Sequence, residues 1–369
     1  MKITAAVLDE IGLSRPYAES HPLSMQELEL DGPGPGELLI RVRAAGVCHS
    51  DLSVVDGNRP RPMPMVLGHE ASGIVEQVGE GVTDVAPGDQ VTTVFLPRCE
   101  QCENCATDGK LPCTPGTETN NAGLLPGWAL RLHRDGQDVH HHVGVSGFAS
   151  HAVVSRQSVV PVGADVPPEI AAVVGCAVLT GGGAVLNAGR PSEGDTVMVV
   201  GLGGVGMAAL LTALSLEKGP VIGVDANPEK LARATELGAT AVHSPEELAE
   251  NGVRAQVVIE AAGHPRAFET AGAATPPGGT TVTVGLPSPA ARSTIAPLGL
   301  TAEARKIVGS YLGSAVPARD IPVYLDLWRA GKLPIEELIS ERVALADINE
   351  SFDRLADGRA VRQVILFED

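Results

Sequence analysis

The sequence predicts an α/β protein in two parts, a largely antiparallel β domain and a doubly wound parallel-sheet domain. Three observations carry this reading. Short strand-like runs punctuated by tight turns fill the first 160 residues. From about 195, continuous apolar strands alternate with helical runs. A length of 369 residues suits two or three domains. The early strands include Glu37-Leu38-Leu39-Ile40-Arg41-Val42-Arg43 and Gly73-Ile74-Val75-Glu76-Gln77-Val78, and the turns include Asp31-Gly32-Pro33-Gly34-Pro35-Gly36 and Pro87-Gly88-Asp89. Thr196-Val197-Met198-Val199-Val200 has no polar alternation, as expected of a strand covered on both faces. A helical run at 206–217 follows, then a strand at 221–224, a helix at 228–237, and strands at 257–259 and 281–284. Strand, helix, strand at this spacing is the doubly wound pattern. Amphipathic helices at 321–330 and 347–355 precede a last strand, Gln363-Val364-Ile365-Leu366.

Composition narrows the function. Acidic residues number 45 against 27 basic, a net charge of −18, which argues against phosphate-neutralising nucleic-acid binders and disfavours anionic membrane surfaces. Small molecules and further copies of the chain are the expected partners. A chain of this length buries roughly three-quarters of its unfolded surface and needs no disulfides. The N-terminal apolar run ends at Asp9-Glu10 and is too short for a signal peptide. Residues 170–189 carry no charge, but Gly175, Gly181, Gly182, Gly183 and Asn187 make them a poor membrane span. A buried segment and a cytoplasmic protein are expected.

Gly201-Leu202-Gly203-Gly204-Val205-Gly206 is a G-x-G-x-x-G run that follows an apolar strand and opens a helix, with Asp225 at the end of the next strand. Gly201 permits a tight turn, Gly203 admits a pyrophosphate close to the backbone, and Gly206 lets helix and sheet approach. The helix N-terminus favours phosphate. Asp225 suits ribose hydroxyls and repels a 2′-phosphate, which favours NAD over NADP.

Four of the six cysteines cluster as Cys99-x2-Cys102-x2-Cys105-x7-Cys113. Four thiolates at such spacing enclose one structural zinc ion; a disulfide framework fits poorly with a large chain lacking a signal peptide. Cys48 and Cys176 lie far apart, with Gly68-His69-Glu70 between them. Two thiolates and one imidazole would make an open zinc site, but spacing does not bring them together. Taken alone, both cysteines read better as buried structural residues.

In combination, Gly68-His69-Glu70-x2-Gly73, Gly88-Asp89, the four-Cys lobe, the glycine run and Asp225 resemble the zinc-dependent medium-chain alcohol dehydrogenases over nearly the whole chain. The resemblance implies a GroES-like catalytic domain (1–177 with 315–369, its structural zinc lobe at 97–115) and an inserted Rossmann domain (178–314), with the active-site cleft between them. It implies two zinc ions and NAD per chain. Cys48, His69 and Cys176 would hold the catalytic zinc, with Glu70 as an alternate ligand. Ser50 would take the alcohol proton and Asp51 would orient His69. His49, Thr180, Gly201, Gly203, Gly204, Val205, Gly206, Asp225, Lys230, Val284, Leu286 and Arg362 would meet the cofactor, with Arg362 able to contact Glu70 instead. Lys230 and Arg362 also read as surface charges, and Thr180 as a helix cap. Phe95 and Leu286 are candidate pocket walls by position.

One departure stands out. The family's proton-relay His, three residues after the Ser50 position, is here Ser53, which is no base near neutral pH. The run His140-His141-His142 reads as a solvated, partly mobile loop. The expected reaction is hydride transfer between a primary aliphatic or aromatic alcohol and NAD. The nearest alternative is thiol-adduct-dependent formaldehyde oxidation, which the long insertion through the His run and the segment 309–320 suggest. From another class comes a non-catalytic, redox-responsive NAD- and zinc-binding protein. A homodimer or homotetramer is expected by analogy.

Overall fold

Along Lys2–Leu8, Ile3, Ala5 and Val7 face one apolar core while Ala6 and Leu8 face another, the period-two pattern of a strand between two cores. This strand pairs antiparallel with Leu23–Leu30; together with Leu132–Arg134, Gln137–His141 and Met65–Val66 they close a five-stranded barrel. The computed structural model describes residues 1–368. The chain forms two compact units, Met1–Cys176 with Ile339–Asp369, and Ala177–Leu338.

Beside the barrel, the first unit holds a seven-stranded sheet. Its order is Val159–Val162, Gln90–Thr93, Ala71–Val78, Glu37–Val47, Gln363–Leu366, Glu341–Val343, with His151–Ser155 also on Glu37–Val47. The chain therefore returns from the second unit to complete the first: Gln363 pairs with Val47, the residue before Cys48.

The second unit is an all-parallel six-stranded sheet, in the order Ala241–His243, Val221–Val224, Val197–Val200, Val257–Glu260, Thr280–Thr283, Lys306–Gly309. Its central strands are buried along their whole length. The strand order reverses at Val197–Val200, and ligands of open parallel sheets bind at the carboxyl end of such a switch point. The sequence draws the C-terminal border of this unit at 314/315, whereas the chain rejoins the first unit only at Ile339. Helix Pro317–Arg329 packs within the second unit, with Tyr324 against Gly182. An amphipathic pattern fixes a helix's apolar face but not the core on which that face docks.

The uncharged run lies in a continuous helical stretch, Pro168–Gly189, and 89% of its apolar window is buried within the protein. It is core.

Candidate active site

Three distant segments deliver sulfur, nitrogen and sulfur to one point. Strand Glu37–Val47 ends beside Cys48, which begins the short helix His49–Val55. Gly68, at φ +89°, turns the chain into His69; any side chain at 68 would strike the backbone nitrogen of Phe148 at 2.6 Å. Cys176 sits in a π-helical turn, Val174–Val178, a local widening common at functional positions. The ligand atoms of Cys48, His69 and Cys176 all lie within 4.8 Å of one another, and Cys176 Sγ is 3.5 Å from His69 Nε2. All three side chains are buried.

The surroundings set their protonation. Asp51 Oδ1 accepts the backbone N–H of Gly68 at 3.0 Å and lies 3.0 Å from His69 Nδ1, which leaves Nε2 facing the sulfurs. Burial opposes a charge on Asp51, yet His69 and His142 outweigh it and hold the carboxyl at about 2. Burial likewise opposes a charge on His69, but the anions of Asp51 and Cys48 raise the imidazole well above its ordinary value. The Cys48 thiol is drawn well below its usual value, foremost by hydrogen bonding from Cys176, whose own thiol is raised in turn. Packed this closely, the two thiols cannot both ionise unless a cation joins them. Two thiolates and a neutral imidazole balance a divalent ion and leave a coordination position open, so the donor set fits a catalytic zinc. The ring of Phe95 meets His69 edge-on, centroids 5.5 Å apart.

Glu70 and Arg362 form a sealed ion pair. Arg362 Nη1 donates to Glu70 Oε2 at 3.0 Å and to the carbonyl of Val47 at 3.3 Å, and the two residues are 0% and 3% exposed. Arg362 is therefore no surface charge, and one arm of its guanidinium is engaged inside the first unit.

The other four cysteines also converge, with ligand atoms within 4.8 Å of one another. All six cysteines are free thiols. Backbone N–H groups of Thr114 and Cys105 draw the Cys102 thiol down to about 6, while burial pushes Cys105 up to about 12. The Cys99 and Cys102 backbone N–H groups point at the sulfurs of Cys113 and Cys99, both at 3.4 Å. Four sulfurs with no open position suit a structural zinc.

In the second unit, the glycine run divides its tasks. Gly201 stands at φ +92°, a Cβ on Gly206 would collide with the Gly201 carbonyl, and a Cβ on Gly203 would meet nothing within 4 Å. The first and third glycines are thus required by the fold, whereas the second leaves bare backbone open to a ligand. Helix Gly204–Ser215 starts immediately afterwards, with Gly204 and Val205 in its first turn. Asp225 accepts from Leu202 N at 2.7 Å and Asn227 N at 2.9 Å, and Lys230 Nζ lies 4.0 Å from it. Thr180 and Val284 are buried; Leu286 is 47% exposed.

One placement adds to the sequence reading and another differs from it. Ser53 Oγ donates to the His49 carbonyl at 2.8 Å, so its proton is committed to its own helix. His49 is exposed and Ser50 half-buried on that helix. The His run is no solvated loop: His141 closes the barrel strand Gln137–His141, and His141 and His142 are 1% and 3% exposed. Sequence reasoning missed His142, whose Nδ1 lies 3.1 Å from Asp51 Oδ1. The available signal was the alternation of Val139 and His141, both buried, which marks a strand with an inward face.

Residues 34–164 match the alcohol dehydrogenase GroES-like domain, and residues 204–329 match the zinc-binding dehydrogenase domain. A Mycobacterium tuberculosis protein provisionally named alcohol dehydrogenase D is 38% identical over 376 residues, 99% of this chain and 100% of its own length. The chain belongs to the zinc-dependent medium-chain alcohol dehydrogenases. Within this family, the NDMA-dependent alcohol dehydrogenase of Amycolatopsis methanolica is 37% identical over 380 residues, 99% of each chain. Among solved structures, benzyl alcohol dehydrogenase from Acinetobacter calcoaceticus superposes with a TM-score of 0.90 at 29% identity, and an alcohol dehydrogenase zinc-binding domain protein from Burkholderia ambifaria with 0.91 at 29%; both cover 100% of each chain. Like other zinc alcohol dehydrogenases, this one is an oxidoreductase acting on small alcohols or aldehydes.

Proposed function

We propose that this alcohol dehydrogenase moves a hydride between a primary alcohol, aromatic by preference, and NAD, giving the aldehyde. The observation that carries the reading is the convergence of Cys48, His69 and Cys176 within 4.8 Å in a buried setting. Zinc held by these three supplies Lewis-acid polarisation of the alcohol oxygen. The chain's own residues do the rest. Ser50, at the start of the helix that Cys48 begins, takes the hydroxyl proton, while the carbon-bound hydrogen leaves with its electron pair for the nicotinamide. Asp51 keeps His69 in the tautomer whose Nε2 is free to ligate. Glu70, balanced by Arg362, lies beside the ligand as a reserve carboxylate. Ser53 spends its proton on the His49 carbonyl, so water is the better carrier beyond the cofactor ribose.

In the second unit, bare backbone at Gly203 suits a pyrophosphate, and the Asp225 carboxylate suits ribose hydroxyls over a 2′-phosphate. His49, Thr180, Lys230, Val284 and Leu286 are further cofactor contacts in this reading.

The edge of Phe95 against His69 and the benzyl alcohol dehydrogenase relative both support an aryl alcohol. The thiol-adduct reading, drawn from the insertion through the His run and the segment 309–320, is the alternative that the substrate panel separates. Free thiols throughout suit a reducing cytoplasm. The exposed-edge strand Lys306–Gly309 favours pairing into a homodimer or homotetramer, to be read by light scattering.

The test is a panel of benzyl alcohol, short aliphatic alcohols and a thiol–formaldehyde adduct with NAD, run with and without NDMA, alongside metal analysis. Benzyl alcohol turnover with close to two zinc ions per chain is expected. NAD binding with no turnover of any alcohol would favour the non-catalytic reading, and one zinc or none would overturn the two-site assignment.

A further inference from the structure

The buried carboxylate behind the zinc ligand serves more than one imidazole. Asp51 Oδ1 receives the Gly68 N–H at 3.0 Å, His69 Nδ1 stands 3.0 Å away, and His142 Nδ1 stands 3.1 Å from the same oxygen. Asp51 Oδ2 has no hydrogen-bond partner although it is buried, and His142 Nδ1 is close to the carboxylate but off the ideal line. These two orphaned polar atoms belong to neighbouring side chains whose nearest polar atoms, His142 Nδ1 and Asp51 Oδ1, are 3.1 Å apart. The rings of His142 and His69 meet edge-on, centroids 5.6 Å apart.

The barrel builds this arrangement deliberately. Strand Gln137–His141 runs parallel to Met65–Val66, with His141 opposite Val66. Both segments leave the sheet in the same direction, one entering His142 and the other Leu67-Gly68-His69. The His142 backbone N–H is held by Ser146 Oγ at 3.1 Å and the Val66 carbonyl at 3.3 Å, which fixes where the ring starts. An imidazole, a carboxylate and a second imidazole thus stand in a buried row that ends at the metal-facing Nε2.

We propose that His142 is a positioning residue for the catalytic zinc: it donates from Nδ1 to Asp51 and holds the carboxylate that holds His69. This rests on the reading that Cys48, His69 and Cys176 bind zinc. A carboxylate restrained by three N–H donors keeps its orientation, and the ligand behind which it sits keeps its own.

The test compares His142→Met, which keeps bulk and loses the donor, with His142→Gln, which keeps an N–H. Zinc affinity of the catalytic site is measured by chelator competition, and the visible spectrum is recorded after cobalt replaces zinc there. His142→Met is expected to weaken catalytic zinc about tenfold, the lower end of such outer contacts, and to shift the cobalt bands, while the four-Cys zinc is retained. His142→Gln should recover most of both. A folded His142→Met with unchanged affinity and spectrum overturns the proposal. Should neither variant fold, nitrogen-15 spectra of histidine-labelled wild-type enzyme decide: a protonated Nδ1 on His142 supports it, and a bare Nδ1 overturns it, since only the protonated nitrogen can donate to Asp51. Failure of the wild-type enzyme to bind zinc at Cys48, His69 and Cys176 would instead strike the underlying metal reading.

Discussion

Arg362 and Glu70, 292 positions apart in the chain, meet at 3.0 Å with both side chains closed off from solvent. Neither charge has water to fall back on, so the pair stands or falls together. Replacing Arg362 with Leu strands the carboxylate of Glu70 and is expected to cost about 3–5 kcal/mol of folding stability, read as a lower urea midpoint. Adding Glu70→Gln should restore much of that loss. A double variant no more stable than the single one would mean that the stranded charge is not the cause.

Asp51 is expected to control metal retention without touching the metal. Asp51→Asn keeps the shape but removes the anion that faces His69 Nδ1 and the Gly68 N–H. Catalytic zinc should bind about 10–100-fold more weakly. Dialysis against a mild chelator should then leave one zinc per chain, held by the four-Cys lobe, where the wild type keeps two.

Cofactor choice is expected to follow Asp225. Asp225→Gly removes the clash with a 2′-phosphate and also releases the N–H groups of Leu202 and Asn227. KM for NAD should rise while KM for NADP falls; unchanged preference would place the ribose elsewhere. Gly203→Ala offers a cleaner partner experiment, because a Cβ there meets nothing in the protein within 4 Å. Its melting temperature should stay near that of wild type while NAD binding is lost.

The two units were legible in the sequence for different reasons. The parallel sheet announced itself because Val197–Val200, Val221–Val224 and Val257–Glu260 are buried on both faces and so carry almost no polar residue. The glycine run was legible because its steric demands leave few alternatives at Gly201 and Gly206. Cys48, His69 and Cys176 were visible as residue types, but spacing holds no information on convergence across 107 positions between His69 and Cys176. The His run was misread because three adjacent polar rings look hydrophilic. Burial of His141 depends on Arg131 donating its backbone N–H to Nε2 at 3.2 Å, a partner ten residues away that no local pattern reveals.

That burial has a pH consequence. Burial, and then the neighbouring charges of His140, Arg131 and His133, hold His141 down to about 3. Between the ordinary value of 6.5 and about 3, the unfolded chain takes up a proton that the folded chain refuses. Stability is therefore complete above 6.5 and falls as pH drops through that window, by up to about 1.4 kcal/mol per pH unit. His141→Gln should flatten this part of the profile relative to wild type, measured as urea midpoints from pH 7 to pH 4. Parallel profiles would show that another group dominates.

Because Gln363–Leu366 lies between Glu37–Val47 and Glu341–Val343 in the sheet, a ribosome delivers the two sides of this seam at very different moments. At ~5–20 residues per second, the ~300 residues between them take on the order of 15–60 s to make. Throughout that interval the nascent sheet shows an open edge next to Cys48. A chaperone with a taste for unpaired strands would find its opportunity there, and the second unit has time to finish folding before the seam closes.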